Sequence, residues 1–142
     1  MTVKEFLETV REQNKTVTRI EEQQERTQAA MIWLSSPALG DKVQSNHQGD
    51  ISDALIRLEE RRTLLAKELQ RLLNMKEAAE ALIALEEDST ARDILTYYYV
   101  EGLEWARIAE KMNYTDTRWI MRKRETAIAN LEQSPMKDNY IK

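Results

Sequence analysis

Only five of the 142 residues are glycine or proline, and they are unevenly placed. Pro37, Gly40 and Gly49 crowd into residues 35–50, Gly102 stands alone, and Pro135 opens the C-terminal tail. The intervals between them are rich in Glu, Gln, Arg, Ala and Leu, which lose little conformational freedom on entering a helix. No stretch shows the period-two alternation of a half-buried strand. The chain therefore reads as all-α, and the breakers divide it into three parts. Residues 1–87 form a long antiparallel helical hairpin with its loop at 35–50. Residues 88–133 form a compact three-helix module, and 134–142 a flexible tail.

Residues 3–34 carry Val3, Phe6, Val10, Gln13, Val17, Ile20, Gln24, Thr27, Met31 and Leu34 at alternating steps of three and four. Residues 51–87 repeat the spacing through Ile51, Leu55, Leu58, Arg62, Leu65, Leu69, Leu72, Lys76, Ala79 and Ile83. These are the a and d positions of a coiled coil. Ala54, Leu64, Leu73, Met75, Leu82 and Leu85 widen the second stripe, so it should face more than one neighbour. Val10, Val17, Leu58, Leu65, Leu69 and Leu72 are accordingly expected to join copies of the chain into a dimer or tetramer. The connection at 35–50 is long for a helical hairpin, either a flexible surface loop or an ordered one that touches a partner. His47 in it reads as a solvated loop residue, and Asp50 or Ser52 as a cap for the second helix.

Composition changes near residue 88. Seven of the nine aromatics lie beyond it, enough buried area for a small module to close a core. Asp88-Ser89-Thr90 offers caps for a helix bearing Ile94, Leu95, Tyr98 and Tyr99, which Gly102 can end in a left-handed conformation. A second helix from about Glu104 to Met112 carries Ile108 and Ala109 on one face. Asn113 suits a tight turn, and Thr115 can cap a third helix over about 116–133. Two short helices joined by such a turn make a helix-turn-helix.

The third helix fixes its own register. Ile120, Ala127, Ile128 and Leu131 form a continuous inward stripe, whereas Trp119 inward would align with Lys123, Thr126 and Asn130. The first register turns Arg118 and Arg122 outward, one turn apart, with Met121 and Trp119 at the flanks. Two such arginines can enter a major groove and bond guanine. Thr115 and Thr117 at the helix start suit phosphate, and Lys123 and Arg124 would track the backbone. Double-stranded DNA is the expected partner.

The segment from Tyr99 to Thr115, with Glu101, Gly102, Leu103, Ile108, Ala109, Met112, Asn113 and Tyr114 in step, resembles the sigma-70 region-4 helix-turn-helix. With the long helices and the Ser36-Pro37…Gly40-Asp41-Lys42-Val43-Gln44-Ser45 loop, the chain is similar to a family of small phage regulators of Gram-positive hosts. That family is related to the ArpU and RinA late-transcription activators. The resemblance implies a promoter-binding late-gene activator in the host cytoplasm that also contacts host RNA polymerase. Glu104 departs from the family's Ser/Thr cap. Ala106-Arg107 replaces its acidic pair and places Arg107 near the DNA side. The apolar positions after Thr115 sit one residue late, so the outward assignment of Arg118 and Arg122 rests on periodicity.

Other classes fit less well. The chain has no cysteine and one histidine, so no thiolate nucleophile, disulfide or Cys/His metal site is expected. Without a Gly-rich phosphate loop or a Ser/His/Asp set, neither an enzyme nor a cofactor is expected. No apolar run approaches the ~20 residues of a membrane span, and the start lacks a signal-peptide core. Two alternatives to regulation remain: a DNA-packaging protein resembling a small terminase subunit, and a helical protein-interaction module without DNA binding. A net charge of −4 argues against nucleic acid only as an average. Residues 1–87 hold 12 basic and 16 acidic residues, 88–142 hold 9 of each, and 115–131 hold four basic against two acidic. Such a weak local positive charge calls for assembly to reach useful affinity.

Overall fold

The structure, a computed structural model, describes residues 1–34 and 47–141. It is all-helical, with no strand among the described residues. Helix α1 spans Val3–Leu34 and α2 His47–Ile83. Helix α3 spans Ser89–Leu95 and runs on into a π turn at Thr96–Val100. Helices α4 (Trp105–Met112) and α5 (Thr117–Glu132) follow, then a 3-10 turn at Lys137–Asn139. None of these helices is long and apolar enough to cross a membrane.

The second long helix starts earlier than the sequence suggests. Gly49, Asp50 and Ser52 lie inside α2, so neither Asp50 nor Ser52 is its cap and His47 is helical. One glycine costs a helix only about 1 kcal/mol, which 37 helical residues absorb. The remainder of the expected loop, and with it the Ser36–Ser45 match, lies outside the described residues.

The chain forms two compact units: Met1–Lys15 with Arg71–Lys142, and Thr16–Gln70. The first does not begin at residue 88. Leu95, Tyr99, Val100 and Leu131 leave a broad apolar surface, and the start of α1 and end of α2 cover it. Val3, Phe6, Leu7 and Val10 join Ala79, Leu82 and Ile83 in one core with them. A smaller cluster holds Ile94, Ile108, Ala109 and Ile120 together. The tail also departs from expectation, because Tyr140 and Ile141 pack against the larger core and Lys137 pairs with Glu132 at 2.7 Å.

Polar groups tie α1 into this unit. The Arg11 side chain, only 8% exposed, donates from Nη1 to the carbonyls of Tyr98 (2.7 Å) and Leu103 (3.0 Å). Its Nη2 meets Glu104 Oε1 at 2.9 Å. Asn14 Nδ2 donates to the Val100 carbonyl at 2.8 Å, and the Val3 amide to Glu132 Oε2 at 2.7 Å. Five carbonyl and carboxylate groups thus find donors on a helix far away in sequence.

In the second unit Val17, Ile20, Thr27, Ala54 and Leu58 are buried. Arg61 donates to the Gln23 carbonyl at 3.3 Å and to the Thr27 hydroxyl. Ile32, Trp33, Leu55, Ile56, Leu64 and Leu69 are exposed. This corrects the expected assembly residues. Val10, Val17, Leu58 and Leu72 are buried within the chain itself, Leu65 is half-buried, and Leu69 alone of the six is exposed. The heptad spacing is divided: Leu58 and Leu72 pack within the chain while Leu55 and Leu69 stay outside, and of the widening residues Ala54 and Leu82 are buried.

Candidate nucleic-acid interface

Local backbone chemistry sets the turn between α4 and α5. Asn113 ends α4 in the left-handed region at φ 61°, which its short polar side chain tolerates. The Tyr114 amide closes the turn on the Ala109 carbonyl at 2.9 Å. Asp116, not Thr115, is then the cap of α5, and its Oδ1 accepts from the Arg118 amide at 2.9 Å. A carboxylate here also meets the positive end of the helix dipole, which a hydroxyl would not. Thr115 stays exposed in the turn.

Helix α5 buries Ile120, Ala127 and Leu131 and half-buries Ile128. That is the inward stripe its periodicity predicts, and Trp119 is outside it. Arg118 is 79% exposed and Arg122 is exposed one turn on. The Arg118 amide hydrogen bond lowers the Asp116 pKa first, its Nε (3.4 Å) next, and the charges of Arg118 and Arg122 add to this. Both guanidinium groups therefore lie within electrostatic reach of the start of α5.

The other basic residues divide differently. Arg107 is exposed on α4, 3.2 Å from Glu110. Lys123 reaches Asp88 Oδ2 at 2.6 Å, and that hydrogen bond chiefly lowers the Asp88 pKa. Because Asp88 also caps α3 through the Thr90 amide, Lys123 pins α5 to the start of α3. Arg124 does not track along the surface. Its side chain is 17% exposed and lies 5.0 Å over Trp105 and 5.7 Å over Tyr98. Arg11 covers Tyr98 at 3.9 Å, and Tyr98 stacks on Trp105 at 4.0 Å. Arg124 is thus part of a cation-aromatic cluster that holds α5 to the rest of the unit. Met121 and Thr117 are half-buried.

Of the eight residues expected at a DNA surface, Arg107, Thr115, Arg118 and Arg122 are open to a partner, and Lys123 and Arg124 are engaged within the protein. Glu104, the departure at the start of α4, makes no side-chain cap and instead meets Arg11. The sequence marks Asp88 as a cap but not its bond to Lys123, and it does not mark Arg11 or Asn14 as polar ties. A signal existed for Arg11 and Asn14, because they share one helix face with Leu7 beside the heptad seam. Among the described residues, no group of three or more His, Cys, Asp or Glu could hold a metal. Compared with protein-family models, curated proteins and solved structures, the chain finds no match.

Proposed function

We propose that this chain is a sequence-specific DNA-binding transcriptional regulator. In this reading α4, the Asn113 turn and α5 act as a helix-turn-helix, with α5 in the major groove. The paired long helices form an antiparallel hairpin that joins copies of the chain. One observation carries the reading: α5 holds its register with a full apolar stripe inward and leaves Arg118 and Arg122 outward, one turn apart. The resemblance to sigma-70 region 4 makes phage late-gene promoters the target and host RNA polymerase a second partner. In this reading the joining surface runs through Leu55 and Leu69, the exposed heptad positions of α2, and exposure of both supports it. A two-fold assembly would read half-sites separated by whole helical turns.

Gel shifts on the DNA surrounding its own gene test this. Arg122→Ala should weaken binding by about 1–3 kcal/mol at unchanged thermal stability. Binding should also fall steeply with salt, by about one power of salt concentration per phosphate contacted. Affinity that is independent of salt would refute the DNA reading and favour a protein-interaction module. A ring of eight or more subunits in light scattering would favour packaging.

A further inference from the structure

The aromatic pair at the start of α5 has no part in either apolar core. Tyr114 and Trp119 lie with ring centroids 4.7 Å apart at 51°, and are 38% and 39% exposed. Trp119 is the third residue of α5 and Tyr114 lies in the turn before it. Neither ring is enclosed, so part of each stays open to a partner. Basic groups outnumber acids around the pair: Arg118 precedes Trp119, Arg122 follows one turn on, and Lys123 Nζ, itself 2.6 Å from Asp88 Oδ2, stands 5.3 Å over the indole. Asp116 is turned back onto the Arg118 amide and Nε.

A ligand that meets this surface must be anionic and also present small apolar groups. Duplex DNA does both, because thymine carries a methyl group on the floor of the major groove among the phosphates. Stacking of unpaired bases would need open ring faces. Here Tyr114 tilts over the indole and Lys123 stands above it, so ring edges are what the pair offers. Residues at the start of a groove-reading helix are also those that reach base edges. We propose that the Tyr114–Trp119 pair is a specificity element that packs on a thymine methyl group. This rests on α5 being the DNA-reading helix, as proposed above.

The test starts with the full chain selecting duplexes from a random library. The best duplex is then remade with uracil for thymine, which removes the methyl groups alone. The unaltered protein should bind the uracil duplex about fourfold more weakly per contacted methyl, the effect of one buried methyl-sized group. Trp119→Ala should bind both duplexes equally. Arg122→Ala should bind both more weakly and keep the ratio between them. Equal binding of both duplexes by the unaltered protein, or an undiminished ratio in Trp119→Ala, overturns the thymine contact and leaves the DNA reading standing. Failure to enrich any duplex overturns both. The uracil comparison needs no variant, so a folding defect in Trp119→Ala cannot mask the result.

Discussion

Arg11 shows how one side chain can complete a fold. It lies beside the Val10 seam position, yet its hydrogen bonds go to carbonyls 87 and 92 positions further along. Those carbonyls fall where the π turn and the loop before α4 leave backbone acceptors without helical partners. A buried acceptor without a donor costs about 1–3 kcal/mol. Arg11→Met, which keeps the packing and removes the donors, should therefore destabilise the protein by about 3 kcal/mol in urea unfolding. Arg11→Lys should recover only part, since an ammonium cannot hold two carbonyls and a carboxylate with the geometry of a guanidinium. A change under 0.5 kcal/mol would show that water serves these carbonyls equally well. Arg124 teaches the same lesson. Sequence places it in a run with Arg122 and Lys123, but its partners Tyr98 and Trp105 are set by tertiary packing that no local spacing reports.

At the scale of elements, some caps and breakers were legible and others, Thr115 and Gly49 among them, were not. Asn113, Gly102 and Asp88 act where their side chains or lack of one require, with Gly102 at φ 73°. Periodicity placed Ile120, Ala127 and Leu131 correctly because a helix in a small core has one face to bury. The start of α2 was less legible, since a glycine marks a boundary only when the neighbouring residues do not outweigh it. The division of α1 between two units was not legible at all: its heptads continue unbroken while the partner changes from a core to a single helix. The caps also predict an acid response. Asp88 and Asp116 have pKa values held below the ordinary 3.8, and Glu132 below 4.5, through hydrogen bonds to Lys123, Arg118 and Lys137. Lowered folded values mean stability that is full above about pH 4.5 and is lost as the pH falls through the folded values. Circular dichroism during acid titration should show α-helix melting that begins below pH 4.5. Asp88→Asn with Asp116→Asn should reduce this pH dependence while keeping side chains that can cap. A transition centred near pH 6 would point instead to other groups.

For the whole molecule, the apolar surface that remains exposed decides how it behaves in solution. Leu55 and Leu69 lie two heptads apart on α2, so they share a face, and both are more than a third exposed. Exposed apolar side chains aligned on one helix face often mark a contact. Leu55→Glu with Leu69→Glu should therefore lower the mass measured by light scattering and leave the melting temperature within a few degrees. Val17→Glu, buried within the same unit, should lower the melting temperature sharply. An unaltered chain that is monomeric at micromolar concentration would remove assembly from the proposed function. The acidic excess lies within residues 1–87, while residues 115–131 hold four basic residues against two acidic.

The bond from the Val3 amide to Glu132 fixes an order of events during synthesis. Residues 3–10 are made long before Leu131, which belongs to the same core, so their apolar face waits uncovered until the segment that carries Leu131 has left the ribosome. Most helical proteins form quickly because their contacts are local. This one closes its larger core across 129 positions, and its folding rate should sit closer to that of mixed α/β domains than to that of simple bundles. During that interval the nascent chain presents Phe6, Leu7 and Val10 to whatever binds exposed helices, chaperones included.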